Sequence, residues 1–315
     1  MTTSHLKTGL RSEVVSLAVA DSAGSEARPF TEPDMRALER DAKIGLVATV
    51  DPTGLPHLTL ITSIQAKDPR HLMFGQFCEG LSKTHVTENA RTGFLAMSPE
   101  KAIWRGTARW THAAKSGEDY ETYNRKPMFR YNSYFGIHTV HYLDVVTFGG
   151  REKLDVPRIV AGSAITMMSR RLARSRQSEP ILKPWAEAHI SRPATLKFLS
   201  YVGENGYPVI VPVVPCQATG SRRLVFAPTV YRRELAAIPA GKAVAVFALN
   251  LRMESVLVRG VFAGYRRYAG PAVGIIDLDW VYNSMPPKQG PIYPVNPVQP
   301  VTVAARETLS TAARN

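Results

Sequence analysis

The segment Cys78-Glu79-Gly80-Leu81-Ser82-Lys83-Thr84 gathers the residue types best suited to chemistry in this 315-residue chain. The pattern predicts a strand that ends, a glycine that lets the backbone turn, and a helix that begins at a hydroxyl residue. A helix start leaves backbone N–H groups unsatisfied, and its dipole favours negative charge there. Ser82 and Thr84 add hydroxyl donors, and Lys83 adds a compact positive charge. Together they suit an anion the size of a phosphate. The same residues also suit a plain helix start, with Ser82 as the cap and Lys83 in solvent. Cys78, beside this loop, reads as an inert neighbour rather than a reactive thiol.

Other constellations point to less. His138-x-x-His141 falls on an expected strand, where residues three apart face opposite sides, so no metal site is expected. The chain has no Gly-x-Gly-x-x-Gly fingerprint and no Gly-x-Ser-x-Gly elbow. Its two cysteines, Cys78 and Cys216, rule out a disulfide framework and any CxxC pair. A single bridge between them remains open beside the reduced state. Trp104, Trp110 and Trp280 read as core or interface residues. The aromatic run Phe129–Phe135, which includes Arg130, reads either as a pocket wall or as a packing segment.

What must position the Ser82 loop is a unit that occurs twice. Gly54-Leu55-Pro56 recurs as Gly206-Tyr207-Pro208, an offset of 152. His71-Leu72-Met73-Phe74 recurs as Arg223-Leu224-Val225-Phe226, and Leu95-Ala96-Met97 as Phe247-Ala248-Leu249, at the same offset of 152. Arg105-Gly106 recurs as Arg259-Gly260 at an offset of 154, so the second copy has one longer turn. The period is far too long for a solenoid, so each copy is a small domain. Two such domains can pack about a pseudo-two-fold axis, with a ligand cleft between them.

Within the first copy, Thr31-Glu32-Pro33-Asp34 caps a helix running to about Ala42. Strands follow at Ile44–Val50, Pro56–Thr62 and His71–Phe77, then a helix at Ser82–Ala90 and strands at Gly93–Met97 and Ile103–Thr111. Ser116–Phe129 reads as helical, and Val140–Phe148 as the closing strand. The second copy repeats this order: hairpin Leu196–Val214, strand Arg223–Pro228, helix Arg232–Ile238, and strands Ala243–Leu249, Val256–Tyr265 and Val273–Tyr282. Many short strands with one intervening helix and no βαβ rhythm predict a mainly β fold, a small barrel per repeat. The expected organisation is a flexible lead (1–32), repeat 1 (33–150), a helical linker (151–189), repeat 2 (190–285) and a proline-rich tail (286–315).

A net charge of +13 favours anionic partners. Arg170, Arg171, Arg174 and Arg176 crowd a linker helix expected over Val160–Arg176, where a solvated basic face accounts for them. No nucleic-acid reader motif accompanies the charge, so no specific nucleic acid is expected. No apolar run is long enough to span a membrane, and acidic Glu13 and Asp21 flank the short apolar stretch Val14–Ala20, unlike a signal peptide. The expectation is a cytoplasmic protein with no membrane partner.

The hairpin with its Gly-x-Pro turn, the loop carrying Ser82-Lys83, the helix ending near Asn89-Ala90-Arg91, and the Arg-Gly-x-Ala strand together resemble a known family. They are similar to the FMN-binding split-barrel proteins related to pyridoxamine 5'-phosphate oxidase, best over Pro33–Gly149 and more weakly over Ile190–Tyr282. The resemblance implies a fused, pseudo-dimeric version of a family whose single barrels pair with FMN in the groove between them. It places the phosphate at Ser82, Lys83 and Thr84, and the flavin ring near Thr62, Ser63, Gln76 and Phe77. It implies an FMN-dependent oxidoreductase acting on a small, anionic organic substrate with an electron donor or acceptor. A non-catalytic flavin-, deazaflavin- or haem-binding protein stays open beside it, as does a nucleic-acid-associated protein that has lost its flavin. No catalytic acid or base is assigned; His138, Tyr131 and Tyr134 are candidates. Two departures from the family stand out. Asn-Pro after the helix is here Asn89-Ala90, and the second repeat carries Glu234 and Leu235 where Ser82 and Lys83 stand. One cofactor site per chain is therefore expected, built on repeat 1, and Arg232 and Arg233 offer repeat 2 only a different anion site.

Overall fold

In the computed structural model, described over residues 28–77, 80–126, 136–175, 179–268, 270–283 and 290–293, the chain forms two antiparallel sheets of the same design. The first helix, α1 (Glu32–Glu39), begins as its sequence dictates. Thr31 accepts from the Asp34 N–H while Asp34 accepts from the Thr31 N–H, a reciprocal cap. Asp34 also accepts the Trp104 indole N–H at 2.8 Å, which ties the helix to the first sheet.

Unit 1 comprises β1 (Ile44–Val50), β2 (Pro56–Leu60), β3 (Gln65–Asp68), β4 (His71–Gln76), α2 (Leu81–Glu88), β5 (Arg91–Met97), β6 (Ala102–Ala114), α3 (Glu118–Arg125), β7 (Thr139–Phe148) and β8 (Glu152–Lys153). Two helices link the units, α4 (Val156–Arg170) and α5 (Pro184–Ser191). Unit 2 comprises β9 (Leu196–Val202), β10 (Pro208–Pro212), β11 (Gln217–Ala218), β12 (Arg223–Phe226), α6 (Arg232–Ala236), β13 (Ala243–Leu249), β14 (Ser255–Arg266), β15 (Val273–Asn283) and β16 (Gly290–Tyr293). The sheet orders are β2-β1-β5-β6-β7-β4-β3 and β10-β9-β13-β14-β15-β12-β11, strand for strand the same topology. The fold is a tandem of two split β-barrels. No described helix is long and apolar enough to cross a membrane.

The repeated landmarks each have a physical task. Gly54 and Gly206 hold φ of 83° and 79° in the hairpin turns, a region that disfavours any side chain. Gly106 and Gly260, after the repeated arginines, lie so close to the next strand that a Cβ would overlap the Thr147 and Asp277 carbonyl oxygens respectively. Gly260→Ala must push β14 off β15, and we expect a loss of about 1–3 kcal/mol. A urea titration of the variant checks this; an unchanged midpoint would remove the close-approach argument.

The two units pack face to face in a reciprocal way. Strand β2 lies on β13 while its counterpart β10 lies on β5, and β2 meets β9 as β10 meets β1. This is the exchange a two-fold axis produces. Leu46, Leu58 and Leu95 of unit 1 share one buried cluster with Phe198, Phe247 and Leu257 of unit 2. Each unit also has its own core beneath its sheet.

Some boundaries differ from the sequence reading. Strand β3 arises between Thr62 and His71, where the sequence reading has no strand, because Gln65 and Ala66 pair with Met73 and Leu72. The linker helix begins at Val156 rather than Val160, capped by Asp155, whose carboxylate accepts the Arg158 N–H at 3.0 Å. Helix α5, opened by Pro184, has no counterpart in the sequence reading. Residues 290–293 of the proline-rich segment pair with β15. The lead up to Pro29 (apart from Arg28 and Pro29 themselves), Cys78, and the aromatic run with Tyr131 and Tyr134 lie outside the described residues.

Candidate functional site

Strand β4 ends at Gln76, and α2 starts after Gly80, which is the N-cap and offers no side chain to it. Ser82 is thus the second helical residue and not the cap, a correction to the sequence reading. Ser82 is only 4% exposed, and its Oγ has no hydrogen-bond partner among the described residues. A buried hydroxyl without a partner costs free energy unless something satisfies it. A hydroxyl can donate or accept, and the N–H groups and dipole of a helix start favour an acceptor there.

One turn along α2, His85 shares a hydrogen bond of 3.1 Å with Thr49 Oγ1 on β1. The His57 ring, on β2, stands edge-on to His85 at 5.2 Å. Across the interface, His57 also meets Tyr282 at 5.4 Å and Trp280 at 6.4 Å, both from β15. Over Trp280 lies the Arg259 guanidinium, 4.0 Å from the ring centroid. One Arg259 nitrogen donates to Asp51 at 2.6 Å, while its Nε is buried with no partner among the described residues. Asp51 is itself fixed by the Thr53 hydroxyl at 2.6 Å and the Leu55 N–H at 2.9 Å. Burial pushes the Asp51 carboxyl up, but these bonds and Arg259 outweigh it and leave its pKa lowered. The corner is therefore built by both units: a helix start from one, an aromatic-backed arginine from the other.

Its histidines are neutral at neutral pH. Burial, then the charges of His85 and Arg259, hold His57 at about 3. Burial, then Lys83 and His138, hold His141 at about 4. Both groups take up protons more readily in the unfolded chain, whose histidines titrate near ~6.5. Stability therefore falls as pH drops below that value, by up to about 1.4 kcal/mol per pH unit for each histidine until its folded pKa is reached. Urea midpoints between neutral and acid pH should show this slope, reduced in His57→Asn; equal slopes would remove His57 as its source.

Gln76 is oriented by a chain of donors. Trp110 can only donate, and its Nε1 gives a proton to His141 Nδ1 at 3.1 Å. His141 therefore carries hydrogen on Nε2 and donates to Gln76 Oε1 at 2.7 Å. The Phe74 ring, stacked on His141 at 4.7 Å, holds the imidazole plane. This leaves the Gln76 amide N–H groups as the donors available to a ligand.

Of the residues expected to hold a cofactor, the structure brings Ser82 and Lys83 to the corner, with Gln76 ending the adjoining strand. Lys83 acts electrostatically on both His57 and His141, which places its charge among these groups. Thr84 is not brought there: it is exposed, about 200° round α2 from Ser82. Ser63 spends its hydroxyl on the Gly75 carbonyl at 2.7 Å, so only its backbone is left to meet a ring. Even there, its carbonyl already accepts from Tyr123 at 2.8 Å. Thr62 and Phe77 are half-buried beside these turns. His138 bonds to Thr139 Oγ1 at 2.7 Å, and its N–H donates to the Gln76 carbonyl at 3.1 Å. Sequence reasoning missed Arg259, Trp280, His57 and His85. The one signal available was the repeated Arg-Gly landmark.

The equivalent corner in unit 2 is filled by ion pairs within the chain. Glu234, the counterpart of Ser82, takes both terminal nitrogens of Arg105 at 2.6 and 2.7 Å, while Arg105 Nε donates to Glu152 at 3.2 Å. Burial opposes the Arg105 charge, but the two carboxylates outweigh it and raise its pKa. Tyr231 covers the guanidinium at 4.5 Å, as Trp280 backs Arg259.

No family model and no curated protein matches this chain. Solved structures do. HupZ of Group A Streptococcus aligns at 16% identity, over 40% of this chain and 94% of its own, with a TM-score of 0.31. A protein from Lactobacillus delbrueckii described as a putative pyridoxamine 5'-phosphate oxidase aligns at 17% identity, over 39% of this chain and 94% of its own, with a TM-score of 0.31. An FMN-binding protein from Syntrophomonas wolfei aligns at 11% identity, over 39% of this chain and 86% of its own, with a TM-score of 0.32. Each match spans about one unit's length of fold and goes no further.

Proposed function

We propose that this chain is an FMN-dependent oxidoreductase with one cofactor site, in the groove between the units at the Ser82 corner. The observation that carries the reading is the pair of buried polar atoms without partners among the described residues, Ser82 Oγ at the start of α2 and Arg259 Nε, on the residues whose counterparts Glu234 and Arg105 meet directly in unit 2. Both can donate, and a phosphate has the oxygens to accept from both and to lie against the positive end of α2. Lys83 supplies charge to the same anion. Bound FMN would supply hydride or electron transfer. The chain's own contribution is position and dryness. Gln76 offers donors of fixed direction to the ring, Thr62 and Phe77 border it, and Trp280 and Tyr282 exclude water from the unit 2 side. His57 and His141, uncharged at neutral pH, add no cation to the ring environment. The net charge of +13 suits a small anionic substrate.

Titration of the purified protein with FMN, followed by flavin fluorescence, tests the reading. One FMN bound per chain is expected. Two per chain would show that Glu234 does not close the second corner. A colourless protein that takes up no FMN would sink the proposal, and a Soret band would move the assignment to haem.

A further inference from the structure

Where the segment after α4 meets β12, β14 and β15, unit 2 carries a concavity of about 490 Å³. Arg174, Arg223, Arg266 and Asp277 line it, beside Leu172 and Tyr268. Arg223 is held in place: its Nε donates to Asp277 at 2.6 Å and its Nη1 to the Ala173 carbonyl at 3.1 Å. Those bonds leave its Nη2 without a partner among the described residues. Arg174 and Arg266 are exposed, and neither has an ion pair among the described residues. Three guanidiniums thus share the space with one carboxylate, an excess of two positive charges that repel one another.

The duplication supplies the comparison. In unit 1, His71 faces Asp144 across β4 and β7 as Arg223 faces Asp277 across β12 and β15. The concavity there is about 260 Å³, bordered by Lys67, Asp68, His112 and Tyr142. Its groups satisfy one another. Lys67 pairs with Asp119 at 2.9 Å, His71 bonds to Asp68 at 2.7 Å, and the His112 ring stacks on Tyr142 at 4.4 Å. By strand register, unit 2 has Ile275 in place of Tyr142 and Gly264 in place of His112. The offset of 152 puts Gly220 at the place of Asp68. The side chains that fill the unit 1 concavity are therefore gone, and the Asp68 carboxylate with them. Arginines come instead. Arg266 stands at the place of Ala114, and Arg174 reaches over Gly220, where a Cβ would lie 3.4 Å from its Nε.

We propose that this concavity is a second anion site, separate from the Ser82 corner, and that it binds a small organic phosphate monoester. Such a group carries about −1.5 to −2 charges at neutral pH, which matches the excess. Guanidinium forks suit its oxygens, since each can give two parallel hydrogen bonds. Leu172 and Tyr268 offer an apolar side to the organic part, and the volume exceeds what a bare phosphate fills.

Phenyl phosphate is the probe, with its binding followed by phosphorus NMR line broadening. The titration is run on the wild type and on Ser82→Glu, which puts a carboxylate into the other anion site. In both, binding with a Kd below about 1 mM is expected. Inorganic phosphate should bind more weakly, because it leaves Leu172 and Tyr268 unused. Arg174→Gln combined with Arg266→Ala should weaken phenyl phosphate at least about 10-fold with an unchanged circular dichroism melt, since both side chains are exposed. No broadening at several millimolar phenyl phosphate, or binding that the double variant leaves unchanged, would overturn the proposal. Inorganic phosphate binding as tightly as phenyl phosphate would overturn the organic ligand. Duplex DNA bound through the same two arginines, with no response to phenyl phosphate, would overturn the site and assign the arginines to a nucleic-acid backbone.

Discussion

Ser82→Glu is expected to lower FMN affinity by at least about 100-fold, or ~2.7 kcal/mol. The substitution copies into unit 1 what unit 2 already has. Glu234 stands at the matching place and holds the cross-unit Arg105 through both terminal nitrogens. A carboxylate at residue 82 would meet Arg259 in the same way and would repel the phosphate. Ser82→Ala, which removes one hydrogen bond and adds no charge, should cost only about 1 kcal/mol. Riboflavin, which has no phosphate, separates the effects: its weaker binding should differ little between Ser82→Ala and the wild type. Fluorescence titration of both ligands against the variants gives the answer. If Ser82→Glu bound FMN as the wild type does, the phosphate would have to sit elsewhere.

Arg105→Met is expected to destabilise the fold by about 2–3 kcal/mol. The Arg105 side chain is 12% exposed, and its loss leaves Glu234 and Glu152 facing each other without a cation. Breaking a fully buried pair from one side costs about 3–5 kcal/mol. The smaller figure applies because these carboxylates are about one-third exposed, at 37% and 33%, and water screens them. Adding Glu234→Leu to Arg105→Met should recover part of the loss, since it removes one of the stranded charges. Urea unfolding of the wild type, the single and the double variant measures this. A single variant as stable as the wild type would mean the ion pair does not hold the units together.

These two experiments probe one axis from its two ends. The pseudo-two-fold delivers an arginine from each unit to the other's helix corner. In unit 2 that arginine is satisfied by the chain's own carboxylates. In unit 1, among the described residues, it rests on Trp280 and donates to Asp51, with its Nε left over. The asymmetry centres on serine in one copy and glutamate in the other, with Glu152 as the second carboxylate on Arg105.

Much of this was legible in the residues alone. Strand β1, β13 and the hairpin turns follow from β-branched runs broken by Asp-Pro and Gly, which are local signals needing no tertiary context. The duplication is visible because both units must solve the same packing problem. Gly106 and Gly260 recur since only glycine lets those strands approach. The Ser82–Lys83 corner was legible too, because a strand–glycine–hydroxyl–lysine series carries its chemistry within a few residues.

What only the tertiary structure decided lies at long range. Arg259 meets Asp51 across 208 residues of sequence, and no local pattern announces that contact. The neutrality of His57 and His141 comes from burial against neighbouring cations, which a sequence does not display. The exposure of Thr84 and the use of the Ser63 hydroxyl depend on helix phase and strand register, where a shift of one residue turns a side chain to the other face. Helix α4 makes the same point in reverse. Its composition reads as an ordinary linker helix, and only its seating through Gly162 and Thr166 shows that the apolar side was left outward. The sequence by itself determined two copies of one barrel and a strand–glycine–helix corner carrying Ser82 and Lys83 in the first. Packing the copies together decided which side chains complete that corner, because its other half comes from a unit about 150 residues away.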